Sequence, residues 1–363
     1  MIAAPHRRVL HAWGRAALLL AALAAAPASA QPASLATLDA LVQETMQAQQ
    51  IPAMTVAIAK DGQLFYSRAF GQADLENGVS ATPETLIRTA SIAKTFTAVA
   101  AMSLVAAGKL DLDAPVQRYC PPFPLKQWPI TTRQLLSHTA GIRHYEAGEP
   151  EHTQHYRFTA DAFALFAADP LLFRPGTGYS YSTYGYTVAG CAVEGSAGAP
   201  FESYVAAHVL QPAGMTHTRV DDAFEIVPHR ARGYQKVDGQ VRNAVLMDSS
   251  YKIAGGGFVS TAEDLVHFGV ALLQGKLLKP ALLQEAWTPT AVSGKESYGL
   301  GFSVLEGGRF IRHTGGQSGT STVLLILPRE HAALAAMANM NDVQLAELVR
   351  ALLQAVQLPT PKP

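Results

Sequence analysis

"RTASIAKTFTAVAAMSLVAAGKL", residues 88–110, decides the fold. From Ile92 to Ala106 only Lys94, Thr95, Thr97 and Ser103 are polar, and no strand-like alternation runs through the stretch. A helix apolar nearly all round is a buried helix. Gly108 supplies the stop expected just past a helix end. Ser91 and Lys94 therefore stand at the head of a helix bound for the interior, where a lysine is costly unless it has a partner or a task.

Strand patterns lie on both sides of this helix. Upstream, "SLATLDALVQETMQAQ" sets Leu35, Leu38, Leu41, Val42 and Met46 at helical spacing. "AMTVAIAKDGQLFYSRAFG" then reads as a hairpin around Asp61 and Gly62. Far downstream, "RFIRHTGG", "STVLLILPRE" and "HAALAAMANM" read as three consecutive antiparallel strands, followed by a closing helix over Val343 to Val356. Residues 111–215 show helices and loops with little strand character. The economical architecture is an α/β (α+β) domain from residues 31–110 and 216–363, with a mainly helical domain inserted at 111–215. The stretch from Glu146 to Arg157 is polar and weakly patterned, and is expected to be a mobile loop.

The first thirty residues read as a signal peptide. Arg7, Arg8 and Arg15 make a basic start, and "AALLLAALAAA" (16–26) is too short to span a bilayer. "ASA" (28–30) is a small-residue cleavage site. Gln31 follows the expected cut, so no lipid-bearing cysteine stands there. The expectation is a periplasmic or secreted protein with no stable membrane insertion after cleavage. The chain carries 28 basic and 28 acidic residues, with no basic run outside the leader, which argues against a nucleic-acid partner. Its expected partner is a small-molecule or peptide substrate; nothing in the sequence gives an oligomeric state.

Cys120 and Cys191 are the only cysteines. An oxidising compartment permits a disulfide, but Cys191 sits in the apolar "YTVAGCAVEG" and reads instead as a small core residue. His152 and His155 in "EHTQHY" have no third ligand placed by any pattern, so they read as solvated loop side chains, and neither a metal nor a cofactor is expected. His138 in "LLSHTAGI" reads as structural. The glycines 255–257 lack the helix-and-phosphate context of a nucleotide site.

Three short segments carry chemistry. Ser91 and Lys94, three apart, share one helical face. Burial lowers a lysine pKa, which lets Lys94 accept a proton from a nucleophilic Ser91 near neutral pH. The helix start favours developing negative charge. "PGTGYSYSTYGYTVAG" (175–190) places Tyr181, Ser182 and Thr183 just before another helix. Tyr181 is a second proton-transfer group if a nearby cation lowers its pKa. "RHTGGQSGTS" places His313, Thr314, Gly315 and Gly316 at the end of a strand, where glycines let a substrate lie along the backbone.

In this order the three segments resemble the serine β-lactamase and penicillin-binding protein family, whose pattern is Ser-x-x-Lys, then Tyr-x-Asn, then a basic residue followed by Thr-Gly. "KLDLDAPV", "LLSHTAGI", "RPGTGYSYSTYGY" and "GGGFVST" look like the family's connecting segments. "YSTYGYT", "SSYKIAGGGFVST" and "HTGGQSGTSTVLLILP" are most like its branch of mitochondrial serine β-lactamase-like proteins and their bacterial relatives. The resemblance implies a β-lactamase/transpeptidase-like fold and acyl-enzyme chemistry. Ser91 would be acylated, Lys94 would take or relay its proton, and Tyr181 would act as general base or acid. The N–H groups of Ser91 and Gly316 would form the oxyanion hole, with His313, Thr314 and Gly315 lining the substrate edge.

Two departures shift the expected substrate. Thr183 replaces the family's asparagine, and His313 replaces the usual lysine; an unperturbed histidine is protonated only below about pH 6.5. No separate glutamate loop of the sort used for β-lactam deacylation is evident. The expected activity is therefore on amide (peptide) bonds. A carboxylesterase and a non-catalytic scaffold or binding protein are the alternatives.

Overall fold

The computed structural model describes residues 1–3 and 34–362. The expected signal peptide lies, but for its first three residues, outside the described residues. Residues 34–362 belong to one compact unit. Helix α1 (Leu35–Gln49) starts on Ser34, whose hydroxyl accepts from the Thr37 N–H. The hairpin follows as β1 (Ala53–Lys60) and β2 (Gln63–Asp74), with β3 (Val79–Ser80) on its outer edge. Strand β4 (Ile87–Arg88) leads into the Ser91 turn and α2 (Ala93–Ala106).

The helical middle holds α3 (Thr132–Leu136), α4 (Thr183–Ala197), α5 (Phe201–Val205) and α6 (Gln211–Ala213). After it come β5 (Arg219–Val220), the hairpin β6 (Tyr234–Val237) and β7 (Gln240–Asn243), the short α7 (Ile253–Gly256), and β8 (Phe258–Ser260). Helices α8 (Ala262–Leu273) and α9 (Pro280–Ala286) precede β9 (Ser303–Leu305), β10 (Phe310–Gln317), β11 (Thr320–Leu327) and β12 (Ala332–Ala338). Helix α10 (Ala346–Ala355) is the closing helix.

Seven strands form one antiparallel sheet in the order β3-β2-β1-β12-β11-β10-β9. Its centre is the pairing of β1 with β12, so the two ends of the chain close the same sheet. Residues of β11 and β12 are buried throughout, because helices cover both faces. That is why "VLLIL" (323–327) is a continuous apolar run and does not alternate. On one face Leu38, Val42 and Met46 of α1 meet Leu348, Leu352 and Leu353 of α10. On the other, α8 packs against β1, β11 and β12, and α2 is enclosed by α4 and α7.

Two expectations are corrected here. Cys120 and Cys191 form a disulfide, with Cα atoms 5.4 Å apart, so Cys191 is not a free core residue. The cause is a backbone approach that no local pattern reveals: a Cβ on Gly195 would stand 1.8 Å from the Tyr119 carbonyl oxygen, so only glycine lets that loop lie on α4. The 146–157 segment is anchored. Arg143 holds Glu149 through two nitrogens at 2.7 and 2.9 Å, His155 Nδ1 meets Asp248 at 2.9 Å, and the Tyr156 N–H donates to Ser250 Oγ at 2.8 Å. Among the described residues no group of three or more metal-type ligands occurs, and no helix is long and apolar enough to cross a membrane.

Candidate active site

The Ser91 turn is held in an unusual conformation. Ala90 has φ 46°, the left-handed region that a side chain enters at a cost of about 1–2 kcal/mol. The flanking Thr89 fixes it: its N–H donates to the Phe258 carbonyl at 2.8 Å, and its own carbonyl accepts from Thr322 Oγ1 at 3.0 Å. The result sets Ser91, partly exposed, in a 3₁₀ turn directly before α2. Gly315 of β10 is required beside it, since a Cβ there would lie 2.3 Å from the Thr89 oxygen.

Lys94 is fully buried. Its Nζ lies 3.1 Å from Ser91 Oγ, 3.1 Å from Thr183 Oγ1 and 2.7 Å from the Gly255 carbonyl. Only the carbonyl demands a donor; the two hydroxyls can donate as well as accept. A neutral amine therefore satisfies all three, donating to the carbonyl and meeting the two hydroxyls as donor or acceptor. No carboxylate pairs with it among the described residues. Burial, and next the like charge of Lys252, hold its pKa well below the usual lysine range.

Tyr181 also reaches the serine. Its ring lies 4.9 Å from Lys94 Nζ and packs on His138 at 4.3 Å between centroids. Desolvation raises its pKa, outweighing the opposite pull of a hydrogen bond with Ser91. This corrects the expectation of a cation-lowered tyrosine. Desolvation leaves Tyr181 as a protonated donor. His138 positions it: the Ser182 N–H donates to His138 Nδ1 at 3.1 Å, and the ring packs against Tyr181, Tyr186 and Tyr298.

Thr183 opens α4 behind the N-cap Ser182 and is buried. Its hydroxyl is engaged with Lys94, and its N–H donates to His144 Nδ1 at 3.2 Å. His313 is buried as well. Its Nδ1 lies 2.7 Å from the Thr314 carbonyl, which accepts only, so the proton sits there and Nε2 accepts from the Tyr298 hydroxyl at 2.9 Å. Burial, then Lys94, push its pKa down to about 3. The expected protonation near pH 6.5 does not occur, and neither ring nitrogen is free to meet a substrate carboxylate.

Thr314 and Gly316, by contrast, are exposed. Counting from the two-residue turn Ser318–Gly319, the pairs Gln317/Thr320, Gly315/Thr322 and His313/Leu324 are the hydrogen-bonded ones. The amides of Thr314 and Gly316 therefore face away from β11. Strand β9 covers β10 only as far as Arg312, which leaves that edge open.

One residue near the site escaped the sequence reading. Lys252, in "SSYKIAGG", is buried, and desolvation, with the Arg88 charge next, pushes its pKa down to about 7. The signal was available: like Lys94, it is a lone lysine at the head of an apolar, small-residue helix.

Sheet, helices and the serine–lysine–tyrosine cluster define a serine hydrolase of β-lactamase/transpeptidase-like fold. Residues 38–357 match the Beta-lactamase family, and the chain belongs to that family. It is 31% identical over 382 residues to the Homo sapiens "Serine beta-lactamase-like protein LACTB, mitochondrial", covering 77% of this chain and 69% of that one. Its structure is similar to a D-stereospecific amidohydrolase from Streptomyces sp., with TM-score 0.73 and 26% identity over 87% of this chain and 97% of that one. It is also similar to the D-amino acid amidase from Ochrobactrum anthropi SV3, with TM-score 0.77 and 25% identity over 89% and 98%.

Proposed function

We propose that the protein is an exported hydrolase that cleaves amide bonds through an acyl-enzyme on Ser91. The observation that carries this reading is the buried Lys94 amine, 3.1 Å from Ser91 Oγ, with no carboxylate paired to it among the described residues. Lys94 takes the Ser91 proton as Oγ attacks the carbonyl carbon. The N–H groups of Ser91 and Gly316 receive the oxyanion. The Tyr181 hydroxyl gives its proton to the leaving nitrogen and regains one from Lys94. Water then releases the acyl group by the same transfers in reverse. Thr183 and His313 hold the cluster together, while Thr314, Gly315 and Gly316 form the edge along which substrate lies.

The two amidase neighbours support an amide substrate, and the neutral His313 favours one without a carboxylate at this edge. The Cys120–Cys191 bond and the leader-like N-terminus support export to the periplasm or beyond. Residues 111–215 are read as an inserted helical domain whose α4 forms one wall of the cleft. The test is a panel of D- and L-amino-acid amides, short peptides, neutral esters and β-lactams, with intact-mass detection of the adduct. Amide turnover with an acyl mass on the Ser91 peptide is expected. Turnover confined to esters would make the protein a carboxylesterase, and an adduct on any other residue would remove Ser91 from its role.

A further inference from the structure

Lys252 has no role in the steps above, yet its surroundings are as particular as those of Lys94. Among the described residues no hydrogen bond or ion pair holds its Nζ; it lies over the rings of Tyr145 and Tyr251, 5.6 and 5.2 Å from their centroids. Two short routes join it to Lys94. Lys252 immediately precedes α7, whose Gly255 carbonyl takes the hydrogen bond from Lys94 Nζ. On the other route, Tyr145 is hydrogen-bonded to Thr183, whose hydroxyl touches Lys94. Two aromatic faces offset only part of the desolvation cost of a buried ammonium that has no carboxylate beside it, so stability alone does not account for Lys252.

We propose that Lys252 is a positioning residue that keeps Lys94 in its proton-accepting form, by setting a like charge in the same interior and by fixing the α7 turn that receives the Lys94 hydrogen bond. This rests on the reading of Lys94 as the base for Ser91. The groups around the two amines leave Lys252 as the positive neighbour. Lys94 faces Tyr181 and Tyr186, both held protonated by burial, and His138, His144 and His313, all depressed and neutral at pH 7. Lys252 faces Tyr145, Tyr251 and the Arg88–Asp221 pair at 2.7 Å; Asp221 also binds Arg230 at 3.0 Å, so this side adds positive charge and supplies no free carboxylate to Lys252. Glu149, the acid nearest His144, is bound to Arg143.

The sign follows from like-charge repulsion. Removing the Lys252 ammonium relieves Lys94, so Lys94 holds its proton to higher pH and the acid limb of kcat/KM moves up. For Lys252→Met the limb is expected to rise by about one pH unit, lowering the rate about tenfold below it and leaving the alkaline plateau nearly unchanged. Lys252→Arg keeps the charge, so its limb should not rise. The assay uses one uncharged ester across the pH range, with circular dichroism on each variant and Lys252→Gln as a second neutral replacement. A uniform loss at every pH with the limb unmoved would reduce Lys252 to structural support. A limb that rises equally in the arginine variant would overturn the charge argument. If the parent protein neither turns over nor labels at Ser91, the base reading fails. The coupling is then read from the Lys94 side-chain NMR titration in Lys252→Arg and Lys252→Gln, and equal titrations in the two would refute it.

Discussion

The two faces of the sheet are built to different rules. Between the sheet and helices α1 and α10, the interior is Leu38, Val42, Val56, Ile58, Leu325, Leu334, Leu348, Leu352 and similar side chains. On the opposite face, under α2, α4 and α7, the same depth holds Lys94, Lys252, His138 and His313. The buried His138 Nε2 there has no hydrogen-bond partner among the described residues. Burial lowers the pKa of both lysines and both histidines there and raises those of the neighbouring tyrosines. The first face makes the fold stable; the second spends part of that stability on groups whose protonation chemistry can use.

That contrast can be broken from either side. Lys94→Met removes the proton acceptor while nearly keeping its shape. It should lower kcat/KM about a thousandfold or more, the scale of a lost general base. The same change replaces a desolvated amine with a thioether, so the melting temperature should rise. Paired kinetics and thermal melts check both halves. A variant that melts markedly lower would show that Lys94 serves the fold. Leu352→Ala does the reverse: removing buried methyl groups on the packing face should cost about 2–5 kcal/mol of stability. Its kcat/KM at a temperature where it stays folded should be unchanged. Activity falling in step with stability would show that the two faces are not separable.

The packing face was legible in the sequence, and the site face only in part. Continuous apolar runs such as "VLLIL" (323–327) announce strands covered on both sides, and the hairpin at Asp61–Gly62 carries its own turn chemistry. Ser91 and Lys94 stood out because polar groups at the head of an apolar helix need a reason. The disulfide was hidden because it depends on the approach of the Tyr119 carbonyl to Gly195, a contact between segments far apart in sequence. The state of Tyr181 was misread because it depends on burial, which is a property of the assembled interior. His313 was read as facing substrate. Which way a strand residue points, however, depends on where the turn starts the pairing, and this strand turns His313 inward while exposing Thr314 and Gly316.

The account stands on the charge of one amine. With side-chain nitrogen-15 label in lysine and the Lys94→Met variant to assign the signal, the Lys94 Nζ resonance can be followed through a pH titration of the unreacted protein. The account predicts a neutral amine at pH 7, with protonation setting in only on acidification. An ammonium signal that persists to the ordinary lysine range above pH 10 would contradict it, and Ser91 would then need another base.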